Sequence, residues 1–416
     1  MFSSNLSMPE LTKNQLKTIV NRELINLEED HRCSVTLSTR NVFLCLSCGK
    51  YFCGGSNSSP LTQHFVNEFH PIALRLIDNK IITLPDYEPI NDTSAFNDIL
   101  FTSKPVYDQN ILKIMHEKMK NSSFNDIPGF IGLESLKSEA SKIAVLRFIS
   151  CIEPLRDYLL LNDFKENELI NEFALFFKRF FNPYYYKKVI GIDRLLKILP
   201  DIDDPFIFLS AILNSLEKGF GKNNILGKLL RGKLMIETDD ETGKFNKPII
   251  KKIWMLPLEM NDSPLYRTGL DKEKIIPQTD LKELLKRFDG TTIIETPSGN
   301  GNVERKKMKM MNSPQYLILH LNRIKKNEFN MEKNYMHIIL PNGKINMSEY
   351  GADADYHIVS IISHEGTCKD GFYLTYSKNK DSNKWVKCHP IDIEETLEEV
   401  AFLSQSCFIL FEKVQI

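Results

Sequence analysis

Two cysteines and two histidines near the amino end have the spacing of metal ligands. Cys45 and Cys48 are separated by two residues, and His64 and His70, further along, by five. Two thiolates and two imidazoles can complete a tetrahedral Zn²⁺ site that leaves no coordination position for a substrate. We therefore predict one structural zinc ion, whose binding helps a small domain to fold. The alternative is a set of buried free cysteines and histidines that hold no metal.

The remaining cysteines do not suggest a disulfide framework. Four of the eight, Cys33, Cys45, Cys48 and Cys53, lie close together, and the others are scattered along the chain. This distribution suits a metal site in a reducing compartment, so we expect the protein inside the cell. No apolar run approaches the roughly 18–20 residues of a membrane span, and no membrane partner is expected.

The amino-acid composition is that of an ordinary globular protein. The 416 residues include 42% hydrophobic and 26% charged residues, which is enough apolar material for more than one domain. The formal net charge of -1 excludes a global basic field for nucleic acid. The stretch "TPSGNGNVERKKMKMMNS" predicts an exposed loop. Its basic run at Arg305, Lys306 and Lys307 is most simply solvated, and contact with RNA stays open.

The elements that would position the candidate ligands follow a clear order along the chain. A helical pattern in "DQNILKIMHEKMK" places Leu112, Met115 and Met119 on one face, with Asp108 as the N-cap. Helical patterns then dominate from Ser141 to about Leu229, and strand patterns follow, which predicts an α+β fold. The predicted units are an N-terminal arm (1–29), a Cys/His-rich domain (30–104), a linker helix (105–127) and a larger domain (128–416).

The Cys/His-rich segment resembles a known domain. "NVFLCLSCGKYFCGG" followed by "HFVNEFHPIAL" is similar to the UBP-type zinc finger found beside ubiquitin-specific proteases. The resemblance implies zinc at Cys45, Cys48, His64 and His70.

A second zinc site of some family members has lost two ligands in this sequence. Thr36 and Pro60 replace a cysteine and a histidine, so Cys33 and Cys53 are expected in the core. The finger's ubiquitin-binding residues are also altered. Phe43 keeps the family's aromatic residue, but Gly55 replaces the arginine that pairs with the ubiquitin C-terminus. Weak or no ubiquitin binding is expected.

From about Gly129 to the C-terminus the chain resembles the ubiquitin-specific protease fold. This is a papain-like cysteine protease with thumb, fingers and palm. The family's box GLxNLGNTCYMNSxLQ aligns with "GLESLKSEASKIAVLR". The nucleophile then falls on Ala140 and the oxyanion-binding asparagine on Ser138. Alanine has no nucleophilic atom, and its register with Ala144 suits packing.

The general-base region has changed as well. The box YxLxAVxxHxGxxxxGHYxxY aligns with "YHIVSIISHEGTCKDGFYLTY", so the base histidine becomes Phe372, whose ring cannot take a proton. The orienting Asp or Asn becomes His389 in "WVKCHP". His364, in the box's earlier H-x-G, is expected to be structural. The resemblance therefore implies a pseudo-deubiquitinase with no catalytic residues.

Further blocks resemble the splicing-associated branch of this family. They include "CSVTLS", "KIIPQ" and the run from Arg323 to Asn334. The branch implies a nuclear, non-enzymatic pre-mRNA splicing factor that helps assemble or stabilise the U4/U6.U5 tri-snRNP through protein contacts. One alternative is a ubiquitin-binding adaptor outside splicing. Another is an active deubiquitinase, which would need a thiol near Ala140; Cys151 lies about three helical turns away.

Overall fold

The structure, a computed structural model, describes residues 18–28, 31–121, 127–135, 139–185, 187–239, 245–260, 277–297, 303–326 and 331–414. Ser138, the predicted oxyanion position, lies outside these ranges. In the described part of the chain, no helix combines the length and the apolar character needed to cross a bilayer.

The first domain is a five-stranded antiparallel sheet with two helices. The strands run in the order β2-β1-β3-β4-β5 across the sheet. Their bounds are β1 Val42–Cys45, β2 Tyr51–Cys53, β3 Ile72–Arg75, β4 Lys80–Thr83 and β5 Glu88–Pro89, and the helices are α1 Pro60–Glu68 and α2 Asn97–Ser103. Val20, Ile25 and Leu27, from the predicted arm, are buried in this domain's core. The division into an arm and a finger at residue 30 stays a prediction, but residues 18–28 pack with the finger.

A single helix, α3 (Gln109–Asn121), links this domain to the rest of the chain. Asp108 caps it as predicted, since its Oδ1 accepts hydrogen bonds from the backbone amides of Asn110 and Ile111 at 2.9 and 2.8 Å. Met115 and Met119 are buried on the predicted face. The linker bounds of residues 105–127 stay a prediction.

The helical part of the larger domain corresponds to the expected thumb. Its helices are α4 Ala140–Ser150, α5 Glu153–Leu161, α6 Glu168–Phe180, α7 Asp193–Leu196, α8 Pro205–Phe220 and α9 Ile225–Leu230. Two short parallel strands, β6 Gly132–Glu134 and β7 Val189–Gly191, pair beside them. The amphipathic patterns predicted from Ser141 to Leu229 are thereby confirmed as helices around one apolar core.

An eight-stranded sheet corresponds to the palm. The strand order is β10-β14-β23-β19-β20-β21-β22, with β18 paired to β19. The bounds are β10 Leu256–Glu259, β14 Tyr316–Asn322, β18 Lys344–Asn346, β19 Asp355–Glu365, β20 Phe372–Asn379, β21 Lys384–Cys388, β22 Ile393–Thr396 and β23 Ser406–Lys413. Phe408 and Leu410 of β23 face the helical core, whereas Ile409 and Phe411 face a second core. The sheet is therefore buried on both faces.

A four-stranded sheet in the order β12-β13-β8-β9 corresponds to the fingers. Its strands are β8 Gly232–Thr238, β9 Ile249–Ile253, β12 Ile294–Pro297 and β13 Val303–Met310. The other elements of this half are β11 Gln278–Asp280, β15 Ile324–Lys326, β16 Met331–Lys333, β17 His337–Ile339, α10 Leu281–Leu285 and α11 Glu398–Phe402.

The basic stretch predicted as a loop is partly strand. Residues 303–310 form β13, where Met308 pairs with Ile236 and Met310 with Leu234. Alternation in "KMKM" turns both methionines towards the core and the intervening Lys309 away from it. The loop prediction was wrong there, because the run alternates with a period of two, as a half-buried strand does.

Candidate functional site

Four side chains predicted as zinc ligands meet at one point of the first domain. One ligand atom from each of Cys45, Cys48, His64 and His70 lies within 4.8 Å of the other three. The Sγ of Cys48 is 3.4 Å from Nε2 of His64, and Nδ1 of His70 is 3.0 Å from that same nitrogen. A tetrahedral Zn²⁺ would separate such S–N and N–N pairs by about 3.6 and 3.3 Å. The donor set and its spacing therefore fit a metal ion.

Local structure explains how the ligands converge. Cys45 ends β1, and the turn to β2 carries Cys48 and Gly49. The Gly49 amide donates to the Cys45 carbonyl at 2.9 Å. Gly49 has φ +71°, and a Cβ there would lie 1.9 Å from the Leu24 carbonyl oxygen, so the turn requires glycine. His64 projects from α1 and stacks on Phe52, with ring centroids 4.3 Å apart.

The electrostatics of the cysteine pair favour a bound cation. The Cys45 thiol donates to the Cys48 sulfur, which lowers the pKa of Cys48 to about 5 and raises the pKa of Cys45. One sulfur of the pair is thus a thiolate near neutral pH, and thiolate is the form that binds metal. The four residues form a cluster that could hold a metal ion.

Three of the four positions aligned with the family's second zinc site, Cys33, Thr36 and Cys53, lie together, but with altered chemistry. The backbone amide of Thr36 donates to the Sγ of Cys33, and its hydroxyl lies 3.4 Å from the Sγ of Cys53. Pro60 is the first residue of α1 and offers no ligand atom. Cys33 is fully buried, as expected of a core residue, whereas Cys53 is partly exposed.

The aromatic residue retained from ubiquitin-binding fingers is not on the surface. Phe43 is 1% exposed and packs edge-on against Tyr87, with centroids 5.7 Å apart. A Cβ on Gly54 would lie 2.6 Å from the Phe43 ring, so backbone covers this side. In this conformation Phe43 is a core side chain and cannot stack on a peptide tail.

The predicted nucleophile position is at the start of a helix, as the family box implies. Ala140 is the first residue of α4, which packs on β20 through a hydrogen bond from Thr375 Oγ1 to the Ala144 carbonyl at 3.3 Å. Lys142 anchors the same turn, with its Nζ 2.7 Å from Asp201 and 3.3 Å from Glu139. Strand β6 precedes helix α4 in the chain, as in the family box, and the side chain at the start of the helix is a methyl group.

The two other positions predicted to be degenerate, Phe372 and His389, lie beside each other. β20 begins at Phe372 and pairs antiparallel with β21, which ends immediately before His389. The Phe372 and His389 rings have centroids 5.7 Å apart and planes inclined by 35°. Phe372 is 45% exposed, which is unusual for a phenylalanine. This edge of the sheet therefore places a hydrocarbon ring beside an imidazole.

Neither His364 nor Cys151 is placed to substitute for the missing groups. His364 is 3% exposed against Tyr373, and burial lowers its pKa to about 4. Cys151 caps the end of α4, donates to the Arg147 carbonyl and to Ser377 Oγ, and has its pKa raised by burial. A thiol with a raised pKa is a poor nucleophile.

Sequence reasoning missed a buried arginine beside this site. Arg147, in the otherwise apolar run "IAVLRFIS", is 3% exposed. Its Nη2 donates to the Ile131 carbonyl at 2.6 Å and to the Pro390 carbonyl at 3.3 Å, which ties α4 to the segment after His389. The available signal was the charge itself, since arginine is rarely placed within an apolar helix unless it has a structural or binding role.

Comparison with known proteins covers almost the whole chain. A family model for ubiquitin carboxyl-terminal hydrolase matches residues 36–411. Ubiquitin carboxyl-terminal hydrolase 39 of Homo sapiens is 26% identical over 448 residues, covering 95% of this chain and 79% of that protein. Pre-mRNA-splicing factor SAD1 of Saccharomyces cerevisiae is 25% identical over 425 residues, covering 96% and 93%.

The fold has an equally extensive counterpart among solved structures. The crystal structure of an essential yeast splicing factor matches with a TM-score of 0.78 and 25% identity, covering 96% of this chain and 99% of that one. The predicted α+β protease-like fold is confirmed, and so is the resemblance to the splicing-associated branch. The chain belongs to the ubiquitin carboxyl-terminal hydrolase family.

Proposed function

We propose that this protein is a non-enzymatic pre-mRNA splicing factor that helps assemble or stabilise the U4/U6.U5 tri-snRNP through protein contacts. Similarity to SAD1 over 96% of the chain supports the splicing function. The step from splicing to the tri-snRNP rests on the sequence blocks of the splicing-associated branch. This role places the protein in the nucleus with spliceosomal proteins as its partners.

The proposal that the protein is not an enzyme rests on the side-chain chemistry at three positions. Ala140 offers no nucleophile at the start of α4, and Phe372 offers no base. His389, beside Phe372, is neither the carboxylate nor the amide that would orient a base. Acyl transfer by a cysteine protease requires a thiolate and a base paired with it. Ala140 and Phe372 supply neither, and the His389 imidazole stands where the orienting group would be.

Affinity purification of the tagged full chain from native nuclear extract tests the splicing role. We expect tri-snRNP proteins and the U4, U5 and U6 RNAs to co-purify, and we expect depletion of the protein to lower tri-snRNP levels on a glycerol gradient. Recovery of ubiquitin conjugates without any snRNP component would favour the adaptor alternative and overturn the proposal. The same preparation should leave a fluorogenic ubiquitin substrate intact.

We also propose that the metal of the first domain is one structural zinc ion. The Cys2His2 donor set supports zinc, because soft thiolate and imidazole ligands in tetrahedral geometry are those that Zn²⁺ prefers. Since such a site supplies folding free energy, Cys48→Ser should lose the metal and unfold this domain.

Metal analysis of the purified protein is the direct measurement. We expect about one equivalent of zinc in the wild type, as inferred from a single four-ligand cluster, and much less in C48S. Cys53→Ser is the matched control, because Cys53 lies in the same domain but outside the cluster. Equal loss of zinc in both variants would show that the metal is held elsewhere.

A further inference from the structure

A short loop of the first domain, residues 33–38, presents two aliphatic side chains to solvent. Val35 is 65% exposed and Leu37 is 72% exposed. Neither belongs to the apolar clusters formed by the described residues. A single exposed aliphatic residue is common on protein surfaces, but here two lie two positions apart in one loop. The 33–38 loop therefore offers a small apolar surface for contact.

Hydrogen bonds hold the 33–38 loop in one conformation. The Cys33 amide donates to the Ser38 carbonyl, and the Leu37 amide donates to the Cys33 carbonyl, both at 2.9 Å. The Thr36 amide donates to the Cys33 sulfur at 3.4 Å. Since these bonds close the loop on itself, a partner that binds it does not have to order its backbone, which keeps the entropic cost of binding low.

The 33–38 loop also lies against the outer strand of the first domain's sheet. β2 is at the edge of that sheet, and the Ser34 amide donates to the Tyr51 carbonyl at 2.7 Å. The Thr36 hydroxyl lies 3.4 Å from the Sγ of Cys53, at the other end of the strand. The loop therefore extends along the edge strand, on the side away from β1.

Leu37 has a backbone conformation that leucine rarely adopts. Its φ is +58°, in the left-handed region, where glycine and asparagine are favoured. Packing within the chain does little to offset this conformational cost, since 72% of the residue stays exposed. Backbone strain of this kind is concentrated at functional positions. The combination favours a binding role for the Leu37 side chain.

The surroundings of the 33–38 loop are positively charged. Residues 31–67 contain no Asp or Glu. Arg40 and Lys50 are exposed, and neither forms an ion pair with a described residue. Lys50 directly precedes Tyr51, and the Arg40 carbonyl accepts from the Sγ of Cys53 at 3.4 Å, so these cations flank the loop along β2. Exposed cations beside an apolar surface complement carboxylates on a partner.

We propose that the 33–38 loop docks on a partner protein that offers an apolar pocket edged by Asp and Glu side chains. Val35 and Leu37 fill the pocket, and Arg40 and Lys50 face the carboxylates, as in interfaces with an apolar centre and a polar rim. A protein is favoured over RNA, because RNA bases stack on aromatic or arginine side chains and the exposed pair is aliphatic. The inference rests on the proposed function, to which it adds a surface that contacts a spliceosomal protein.

Photocrosslinking in native nuclear extract tests this surface. The tagged full chain carries p-benzoylphenylalanine in place of the exposed Ser34, which keeps Val35 and Leu37, and mass spectrometry maps the crosslinked peptide. We expect a crosslink to a tri-snRNP protein, in a segment where carboxylates surround apolar residues. A crosslink to RNA or to a basic segment, or no crosslink while the tri-snRNP co-purifies, would overturn the proposal.

The same experiment separates this inference from the proposed function. A crosslink to an acidic, apolar segment of a protein outside the tri-snRNP would support the docking surface and contradict the splicing role. If neither a crosslink nor any tri-snRNP component is recovered, both are wrong.

Leu37→Asn separates binding from folding. Asparagine adopts the left-handed conformation more readily than leucine, so the unfolding midpoint of L37N should equal or exceed that of the wild type. Loss of the leucine contact should lower the crosslink yield about tenfold. Ile249→Asn is the matched control, because Ile249 is 67% exposed on the fingers sheet, and it should keep the full yield. An undiminished yield in L37N would overturn the role of the loop.

Arg40→Glu tests the charge of the partner. Replacing this flanking cation by a carboxylate should lower the crosslink yield, and the loss should shrink at high ionic strength because salt screens exposed charges. Lys251→Glu, at an exposed position of the fingers sheet, is the control and should have no effect. An unchanged yield in R40E would contradict an acidic partner.

Discussion

Ala140 differs from cysteine by one sulfur atom, yet adding this atom would not rebuild the site. A thiol becomes a nucleophile when a nearby base or cation stabilises the thiolate. Phe372 occupies the position aligned with the base, and its phenyl ring has neither a lone pair nor a charge. His389, which aligns with the family residue that orients the base, lies tilted beside that ring, with centroids 5.7 Å apart.

Ala140→Cys should therefore remain inactive. We expect no hydrolysis of a fluorogenic ubiquitin substrate above the wild-type background, since Phe372 cannot accept the thiol proton. An active family member assayed in parallel verifies the substrate. Turnover by A140C that iodoacetamide abolishes would contradict this prediction and would identify His389 as a usable base.

At the scale of elements, α8 (Pro205–Phe220) is the helix whose start is best defined. Asp204 is its N-cap, and Oδ1 accepts from the amides of Phe206 and Ile207, both at 2.9 Å. Proline at the first position suits the helix start, because its fixed φ is helical and no amide is lost. Phe208, Leu209 and Ile212 on this helix are fully buried, so the cap supports a central element of the core.

Asp204→Ala should lower the free energy of unfolding by about 1 kcal/mol, as expected for loss of an N-cap. Urea denaturation followed by circular dichroism measures this difference. Asp204→Asn is the matched control, because the amide oxygen can still accept both hydrogen bonds, and it should retain most of the stability. Equal losses in D204A and D204N would mean that the carboxylate charge matters more than the cap.

The contact between α8 and the palm sheet should make the fold sensitive to acid. His320 of β14 stacks between Phe206 and Phe408, with ring centroids 4.5 and 4.7 Å away. Burial lowers its pKa from 6.5 to about 4. Between these two values the unfolded chain binds a proton that the folded chain does not, so stability falls as the pH drops through this range.

His320→Phe removes this proton uptake. We expect its free energy of unfolding to decline less than that of the wild type between pH 6.5 and pH 4, measured in urea at several pH values. Part of the decline should remain, because His364 has a pKa lowered in the same direction. Parallel stability curves for the two proteins would contradict the prediction.

On the scale of the whole molecule, the first domain docks against α6 of the larger one. Arg179 donates to the Leu27 carbonyl at 2.9 Å, and Asn182 donates to Thr102 at 2.9 Å. Glu28 is 8% exposed. Two groups of the larger domain reach it, the Tyr185 hydroxyl at 3.2 Å and Lys187 Nζ at 3.6 Å. These contacts join the two predicted domains through buried polar groups, for which loss of one partner is expensive.

Glu28→Ala should weaken this docking and destabilise the chain by about 1–3 kcal/mol, because a buried charged partner of Lys187 is removed. Chemical unfolding monitored by far-UV circular dichroism gives the change. Glu28→Gln keeps an acceptor for Tyr185 but not the ion pair, so its stability should lie between those of the wild type and E28A. Wild-type stability in E28A would argue against a tight interface.

Local patterns allowed much of this organisation to be predicted. Cys45 and Cys48 flank one turn, and His64 and His70 lie on and just after one helix, so their spacing is visible in the sequence. Asp108 likewise caps the helix that directly follows it. The charge of Arg147 is visible in the sequence, but the two backbone carbonyls that it contacts belong to distant segments of the chain. The docking of Glu28 on Tyr185 likewise joins residues far apart in sequence, and no periodicity encodes such a contact.

The pairing of Phe372 with His389 has a consequence for the evolution of the protein. The three altered positions lie on α4, at the start of β20 and after the end of β21, so one mutation can restore only one of them. A variant in which only one or two of these positions carry the family's residue is expected to have no protease activity, so selection for activity would not favour it. If a partner binds the exposed Phe372 ring, replacing this residue by histidine would also weaken that binding. Gaining cysteine-protease chemistry would therefore require changes at all three positions together, on three different elements of the fold.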